Sequence, residues 1–334
     1  PQDQLQSLIN LYSQGQLQQA RKLAETLAQQ FPKSPVMFNI QGAILQSLGQ
    51  LDQSIAAYNK ALAMKPNYAD AHYNLGVALQ GIVFKKPNPG LQKTIISLLD
   101  RKTFVRPKDI ASAALSLLKF EPKLKRHLQS SSVAEVASNL QAVLKDLTAL
   151  PLLKKLMSIC PLPDLDLESL FRELRAKLLL SISDLTGSTE ELEFQSALAL
   201  QCFTNEYIYN QSEQEGEALT ALEAAVRHTL SKGDQPSSQS ILCLASYRPL
   251  NQYDWSISLR ITDEIEDVFI RQVAEPNREA QIKTGLAVLE EITNKVSSKV
   301  RDQYEVSPFP RWVNLGLRLK AAPIPKVVEE IKLK

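Results

Sequence analysis

Residue types that carry chemistry are sparse in this 334-residue chain and stand far apart. His72, His127 and His228 are scattered, and no His-Glu-x-x-His pattern puts two of them on one helix face, where a zinc ion would need them. Cys160, Cys202 and Cys243 form an odd, widely spaced set without a Cys-x-x-Cys pair. Neither a disulfide framework nor a zinc site is expected from them, and a reducing compartment is. No Gly-x-Ser-x-Gly turn offers a serine nucleophile. No two glycines are separated by one residue, so the Gly-x-Gly turn that lets backbone approach a cofactor is missing. Gly76 and Gly81 have phosphate-loop spacing, but Ile82 and Val83 stand where such a loop has its Lys and Ser/Thr. The chain's own residues therefore predict no catalytic group, no metal and no cofactor site.

The stretch with the most unusual polarity is Phe194–Tyr209, FQSALALQCFTNEYIY. From Ala197 to Phe203 it is apolar on every side of a helical wheel except at Gln201, the pattern of a helix packed between neighbours. Gln201, Asn205 and Glu206 then fall about one turn apart in a helix that is otherwise dry. Buried amides and carboxylates must find partners, so these three are expected to form a polar staple that ties flanking helices together, a structural role. Thr189 is the expected cap of this helix, with Glu190–Glu193 in its first turn.

The elements that must position such residues are helices. Glycine is scarce, 11 residues, and no series of Val/Ile/Thr runs alternates with period two, so the fold class is all-α. Asp166–Leu185 repeats Leu167, Leu170, Leu174, Leu178 and Ile182 at three and four residues, and Ile110, Ala114, Leu117 and Leu118 make a second apolar stripe after Pro107. No apolar run approaches the roughly 18 residues needed to cross a bilayer and no signal segment opens the chain, so a cytoplasmic location is expected. Net charge is only +2 but uneven. Lys85–Arg126 holds eleven Lys and Arg against three acids, while Gly187–Val226 holds eight Glu and no base. A basic stretch of this kind permits nucleic-acid contact, but it lacks interleaved exposed aromatics, and nucleic acid is not the expected partner.

At the front the chain repeats itself. Pro32 and Pro66 are 34 residues apart, and Ser13, Gly15, Gln16 and Leu17 recur as Ser47, Gly49, Gln50 and Leu51. A 34-residue unit of two helices ending in proline resembles the tetratricopeptide repeat, TPR. The second unit carries Phe38, Gly42, Leu45, Tyr58, Ala61 and Pro66, with Gly42 expected to let its helices approach and Tyr58 and Ala61 to pack between them. A third unit opens with Ala69–Gly76 and then breaks at Gly81, where Pro87 and Pro89 enforce a turn. The expected architecture is a short TPR solenoid over 1–82, a helical middle domain over 83–235 and a helical C-terminal segment over 236–334. Asn39 and Asn74 are the expected inner-face residues, placed to hold the backbone of an extended peptide or protein partner.

Three segments carry a wider resemblance: RPKDIASAALSLL, FQSALALQCFTNEYIY, and VRDQYEVSPFPRWV at Val300–Val313. Together they resemble the TPR-containing class I S-adenosylmethionine-dependent methyltransferases, with departures at Val306 and Phe309. The resemblance implies a transferase whose catalytic domain, with its S-adenosylmethionine, follows the last motif and is absent from this chain. It also implies a docking or cofactor-mouth role for Tyr304, Phe309, Arg311 and Trp312, presented on a segment stiffened by Pro308 and Pro310. On this reading the chain recruits a partner or substrate. The alternatives are a free-standing TPR adaptor and, more weakly, nucleic-acid contact through residues 85–126.

Overall fold

The computed structural model describes residues 2–100, 105–129, 140–285 and 294–306. The described fold is all-α, with no strand among those residues. Among the described residues the chain forms two compact units, one from Gln2–Phe84 and Asn88–Ala114, the other from Lys85–Pro87 and Leu115–Val306.

The first unit opens with five helices in sequence: α1 (Gln2–Ser13), α2 (Leu17–Gln30), α3 (Pro35–Ser47), α4 (Leu51–Met64) and α5 (Ala69–Leu79). Consecutive helices pack on each other, α3 on α4 most extensively. The repeat seen in sequence is a repeat of geometry. Gly15 and Gly49 both take φ +72°. The amides that follow them close the same helix-ending bond, Gln16 N–H to Leu11 O and Gln50 N–H to Leu45 O, each at 2.9 Å. Glycine adopts that left-handed conformation without the steric cost that a Cβ adds. Pro32 and Pro66 act one residue upstream: Phe31 and Lys65 leave helical geometry at φ −123° and −135°, as residues before proline do.

Inside the second repeat, Gly42 faces Tyr58 so closely that a Cβ there would lie 2.5 Å from the ring Cε1. Tyr58 and Ala61 are fully buried, and the Tyr58 hydroxyl donates to Gln46 Oε1 at 2.9 Å. Leu8, Ala20, Ala24, Leu27, Met37 and Ile44 form the adjoining core, which joins α1 and α2 to α3. The unit continues into α6 (Pro89–Asp100), which buries Leu91, Ile95, Leu98 and Leu99. The next helix, α7 (Pro107–Leu118), carries the division between the units, and its predicted stripe of Ile110, Ala114, Leu117 and Leu118 is wholly buried.

The second unit is organised around one helix. In chain order it holds α8 (Pro122–Gln129), α9 (Leu140–Thr148), α10 (Pro151–Ile159), α11 (Leu165–Leu180), α12 (Thr189–Thr204), α13 (Glu213–Ser231) and α14 (Ser238–Ala245). Beyond them lie α15 (Glu266–Phe269), α16 (Glu275–Thr284) and α17 (Lys295–Val306). Helix α12 packs on α9, α10, α14 and α15. It is buried on all sides from Ala197 to Thr204, as its pattern predicts. One hydrophobic core runs from Leu179 to Val273, through position 235 without a break.

Two local expectations are corrected. The cap of α12 is Ser188 rather than Thr189: its hydroxyl accepts from Glu191 N–H while the Glu191 carboxylate reaches back, a reciprocal capping box. The helix also ends at Thr204 instead of continuing through Tyr209. Asn205 caps it by turning its side-chain oxygen to Tyr207 N–H at 3.1 Å, and Glu206 and Tyr207 take φ +59° and +57°. An asparagine that bonds its own following backbone competes with helix continuation.

Candidate functional site

The first helices of the repeats, which carry the residues expected on the inner face, are α1, α3 and α5. Side chains at every third or fourth position of α3 reach solvent, notably Val36 and Ser47, with Ile40 and Ala43 half-buried between them. On α5 the corresponding stripe is Asp70, Tyr73, Asn74 and Val77, and on α1 it includes Ile9 and Tyr12. The three stripes are joined by hydrogen bonds. Tyr12 Oη lies 3.2 Å from Ser47 Oγ, linking α1 to α3. Asn74 Nδ2 donates to Asn39 Oδ1 at 3.1 Å, linking α5 to α3, and Asn39 Nδ2 donates to the Tyr68 hydroxyl at 3.5 Å. The structure thus brings the two predicted asparagines into contact. Asn39 is buried, Asn74 half-exposed, and Tyr73, the 34-residue counterpart of Asn39, stands free at 55% exposure. His72 on the same helix is turned inward, its Nε2 2.8 Å from Pro66 O.

The second unit hides its polar groups. Arg175, on α11, is buried and donates through Nη2 to Asn210 O at 2.8 Å, Tyr209 O at 3.4 Å and Glu215 Oε1 at 3.5 Å. Its guanidinium carbon lies 4.2 Å from the Tyr247 ring centre, and Tyr247 in turn donates to Glu215 Oε1 at 2.6 Å. Burial alone would raise the Glu215 carboxyl, but the hydrogen bonds from Tyr247 and Ser212 and the Arg175 charge outweigh it and hold the group below its ordinary range. Glu191 is also buried; it accepts from Gly187 N–H at 2.6 Å, Ser188 N–H at 3.1 Å, Gln239 Nε2 at 3.3 Å and from Gln141. These donors likewise overcome burial and lower its pKa. Gln272, fully buried in a π-turn over Ile270–Ala274, donates to Ala199 O at 3.2 Å and Ala245 O at 3.0 Å and accepts from Leu250 N–H at 3.1 Å.

Of the predicted polar staple, Gln201 and Asn205 are buried, and Gln201 bonds the Tyr209 hydroxyl. Bonds from α12 to other helices include those of Glu191 to Gln141 and Gln239, of Glu193 to Lys154 at 2.5 Å, and of the Ala199 carbonyl to Gln272. Arg175 has a sequence signal: it interrupts the apolar stripe Leu167, Leu170, Leu174, Leu178. Cys160, Cys202 and Cys243 are buried, and burial pushes each thiol up to about 12. Phe309, Arg311 and Trp312 lie outside the described residues; Tyr304 falls within helix α17 rather than an extended segment, with its side chain outside them.

The basic stretch is partly neutralised where described. Lys119 Nζ lies 2.6 Å from Asp164, and Lys123, Arg126 and His127 all converge on Asp146. Among the described residues, no three His, Cys, Asp or Glu gather as metal ligands, and no helix is long and apolar enough to cross a membrane.

Residues 42–82 match the family model for the TPR repeat. Over 81 residues the chain is 31% identical to the peroxisomal targeting signal receptor of Saccharomyces cerevisiae, a stretch covering 24% of this chain and 13% of that protein. A solved structure of Naa15/Naa10 bound to HypK-THB matches over 93% of this chain and 43% of its own, at 18% identity and a TM-score of 0.22. The chain thus carries a TPR repeat, the kind of unit through which proteins hold protein or peptide partners.

Proposed function

We propose that this chain is the partner- or substrate-recruiting part of a TPR-containing methyltransferase, with its repeats at 1–82 serving as the recruiting element. The observation that carries the recruiting role is the Asn74–Asn39–Tyr68 chain of hydrogen bonds, in which buried Asn39 fixes the half-exposed Asn74 amide on α5. An amide held in one orientation, as Asn74 is, pairs naturally with an N–H and a C=O of an extended peptide. Methyl transfer is assigned to a domain outside these residues, on the strength of the resemblance in FQSALALQCFTNEYIY and VRDQYEVSPFPRWV. S-adenosylmethionine would bind that domain, since this chain has no Gly-x-Gly turn. Residues 83–235 and 236–334 would then connect the repeats to it, with Tyr304, Phe309, Arg311 and Trp312 at the junction. One observation favours a free-standing adaptor: the relative that the chain matches is named as a targeting-signal receptor.

Two measurements test the reading. An Asn39→Ala/Asn74→Ala variant should retain its helical circular dichroism and lose peptide binding; unimpaired binding refutes the recruiting role. Calorimetry with S-adenosylmethionine should give no heat with this chain and a saturable signal with a longer protein; heat from this chain refutes the division of labour.

A further inference from the structure

The second unit holds a cavity of about 430 Å³ at the C-terminal end of α13. Its walls come from three segments. Leu230 and Ser231 belong to the last turn of α13, Asp234 and Gln235 to the loop that follows, and Trp255 and Ser258 to a short turn facing them. Hydrogen bonds hold these walls in place. Gln235 ties the loop to the turn, donating through Nε2 to Ser258 O at 3.1 Å and accepting from Arg260 N–H at 2.8 Å. Tyr253 stacks on Trp255 with ring centres 4.6 Å apart, and its own hydroxyl donates to Glu223 at 2.7 Å. A site built in advance leaves little ordering cost to fall on binding.

The charges around the cavity do not balance. Arg227 lines it, but both of its terminal nitrogens are already on Asp254, at 3.1 and 2.9 Å. Asp234 lines it as well, and its carboxylate makes no ion pair or hydrogen bond among the described residues. Arg227, Asp254 and Asp234 together leave one negative charge uncompensated. The carbonyl end of α13 adds its negative pole at Leu230 and Ser231. Other cations stand close in sequence, His228 and Lys232 at the same helix end and Arg260 beyond the loop. Among the described residues none of the three lines the cavity or pairs with Asp234.

An anion would be repelled here by Asp234 and by the helix end. A cation with an apolar stem fits each wall. Its stem can lie on Leu230 and Trp255, as long charged side chains cover apolar surface, while its head reaches Asp234 in charge-assisted bonds. A guanidinium suits the carboxylate better than an ammonium does, because its planar fork makes two parallel bonds and is more weakly hydrated. Arg227 on Asp254 is that same pairing at the rim of the cavity. We infer that the cavity receives a single arginine side chain presented by a partner protein. The site belongs to the second unit and is independent of the recruiting role proposed for the repeats.

The test uses the whole chain, isotope-labelled for nuclear magnetic resonance, and two small probes: N-acetyl-arginine methylamide and its uncharged isostere N-acetyl-citrulline methylamide. The chain has two tryptophans, so Trp312→Phe identifies the indole N–H signal of Trp255. The arginine probe should move that signal saturably, and the citrulline probe should bind at least about tenfold more weakly, the equivalent of about 1.4 kcal/mol. Added salt should weaken the arginine probe, since Asp234 is exposed. Asp234→Asn, a change at a loop surface, should bring the arginine probe down to the citrulline level. Equal binding of the two probes, arginine binding that survives Asp234→Asn, or no movement of the Trp255 signal with either probe overturns the inference. None of these results touches the repeats, whose role is read by the Asn39→Ala/Asn74→Ala variant.

Discussion

Replacing Arg175 by alanine tests whether the buried polar centre holds the second unit together. The substitution removes one guanidinium that serves two carbonyls, Tyr209 O and Asn210 O, and one carboxylate, Glu215. It also removes the cation stacked 4.2 Å from the Tyr247 ring centre. Glu215 would keep three neutral donors, Ser212 N–H at 2.8 Å, Ser212 Oγ at 2.9 Å and Tyr247 Oη at 2.6 Å. The carboxylate is therefore not stranded, and its share of the loss sits at the lower end of the range for a broken buried pair, about 3 kcal/mol. Each carbonyl left without a donor adds about 1 kcal/mol or more, with a further cost for the space vacated. The expected loss is about 4–6 kcal/mol, a large part of a typical domain's stability. Urea unfolding of the whole chain, followed by the fluorescence of Trp255 in the core of the second unit, reports that unit. A destabilisation below about 1 kcal/mol for Arg175→Ala would sink the reasoning, since it falls under the cost of even one orphaned carbonyl.

Other outcomes follow from the same geometry. The Glu191 and Glu215 carboxyls are held below the ordinary glutamate value of 4.5. Their stabilisation is complete above that value and is lost as pH falls through the lowered folded values, so urea midpoints should drop on acidification, and Glu191→Gln should flatten the drop. Gly42→Ala would drive a Cβ to 2.5 Å from Tyr58 Cε1. The overpacking costs about 1–3 kcal/mol against about 1 kcal/mol of helix propensity gained, and an unlowered thermal midpoint by circular dichroism would contradict the packing. All three cysteines are buried with thiols raised to about 12, so Ellman's reagent should titrate three thiols after unfolding and almost none before.

What sequence reading captured is what local rules determine. The Gly15 and Gly49 turns, the proline stops, the Gly42–Tyr58 contact and the all-round burial of α12 each follow from residue type and period. The cap slipped by one residue because Ser188 and Thr189 are both good caps, and only the reciprocal bond with Glu191 separates them. Helix α12 stopped short because Asn205 turned its side chain onto the backbone, a competition that apolar periodicity does not register. Asn39 and Asn74 meet although they are 35 residues apart rather than 34, since the extra residue swings Asn74 off the position Tyr73 holds and toward α3. Arg175, Glu215 and Tyr247 come from three distant segments, and no local pattern joins them. Gln272 lies in a stretch that reads as an ordinary amphipathic turn; its partners are main-chain atoms, which leave no mark in the side-chain sequence.

The π-turn at Ile270–Ala274 makes one amide a shared clasp. Gln272 grips the main chain of Ala199, Ala245 and Leu250 at once, so none of these segments can swing outward without abandoning a buried glutamine that has nowhere else to bond. The Leu250 N–H, although it belongs to a short connecting turn, should therefore exchange its hydrogen as slowly as the interior of the central helix, released only when the whole unit opens.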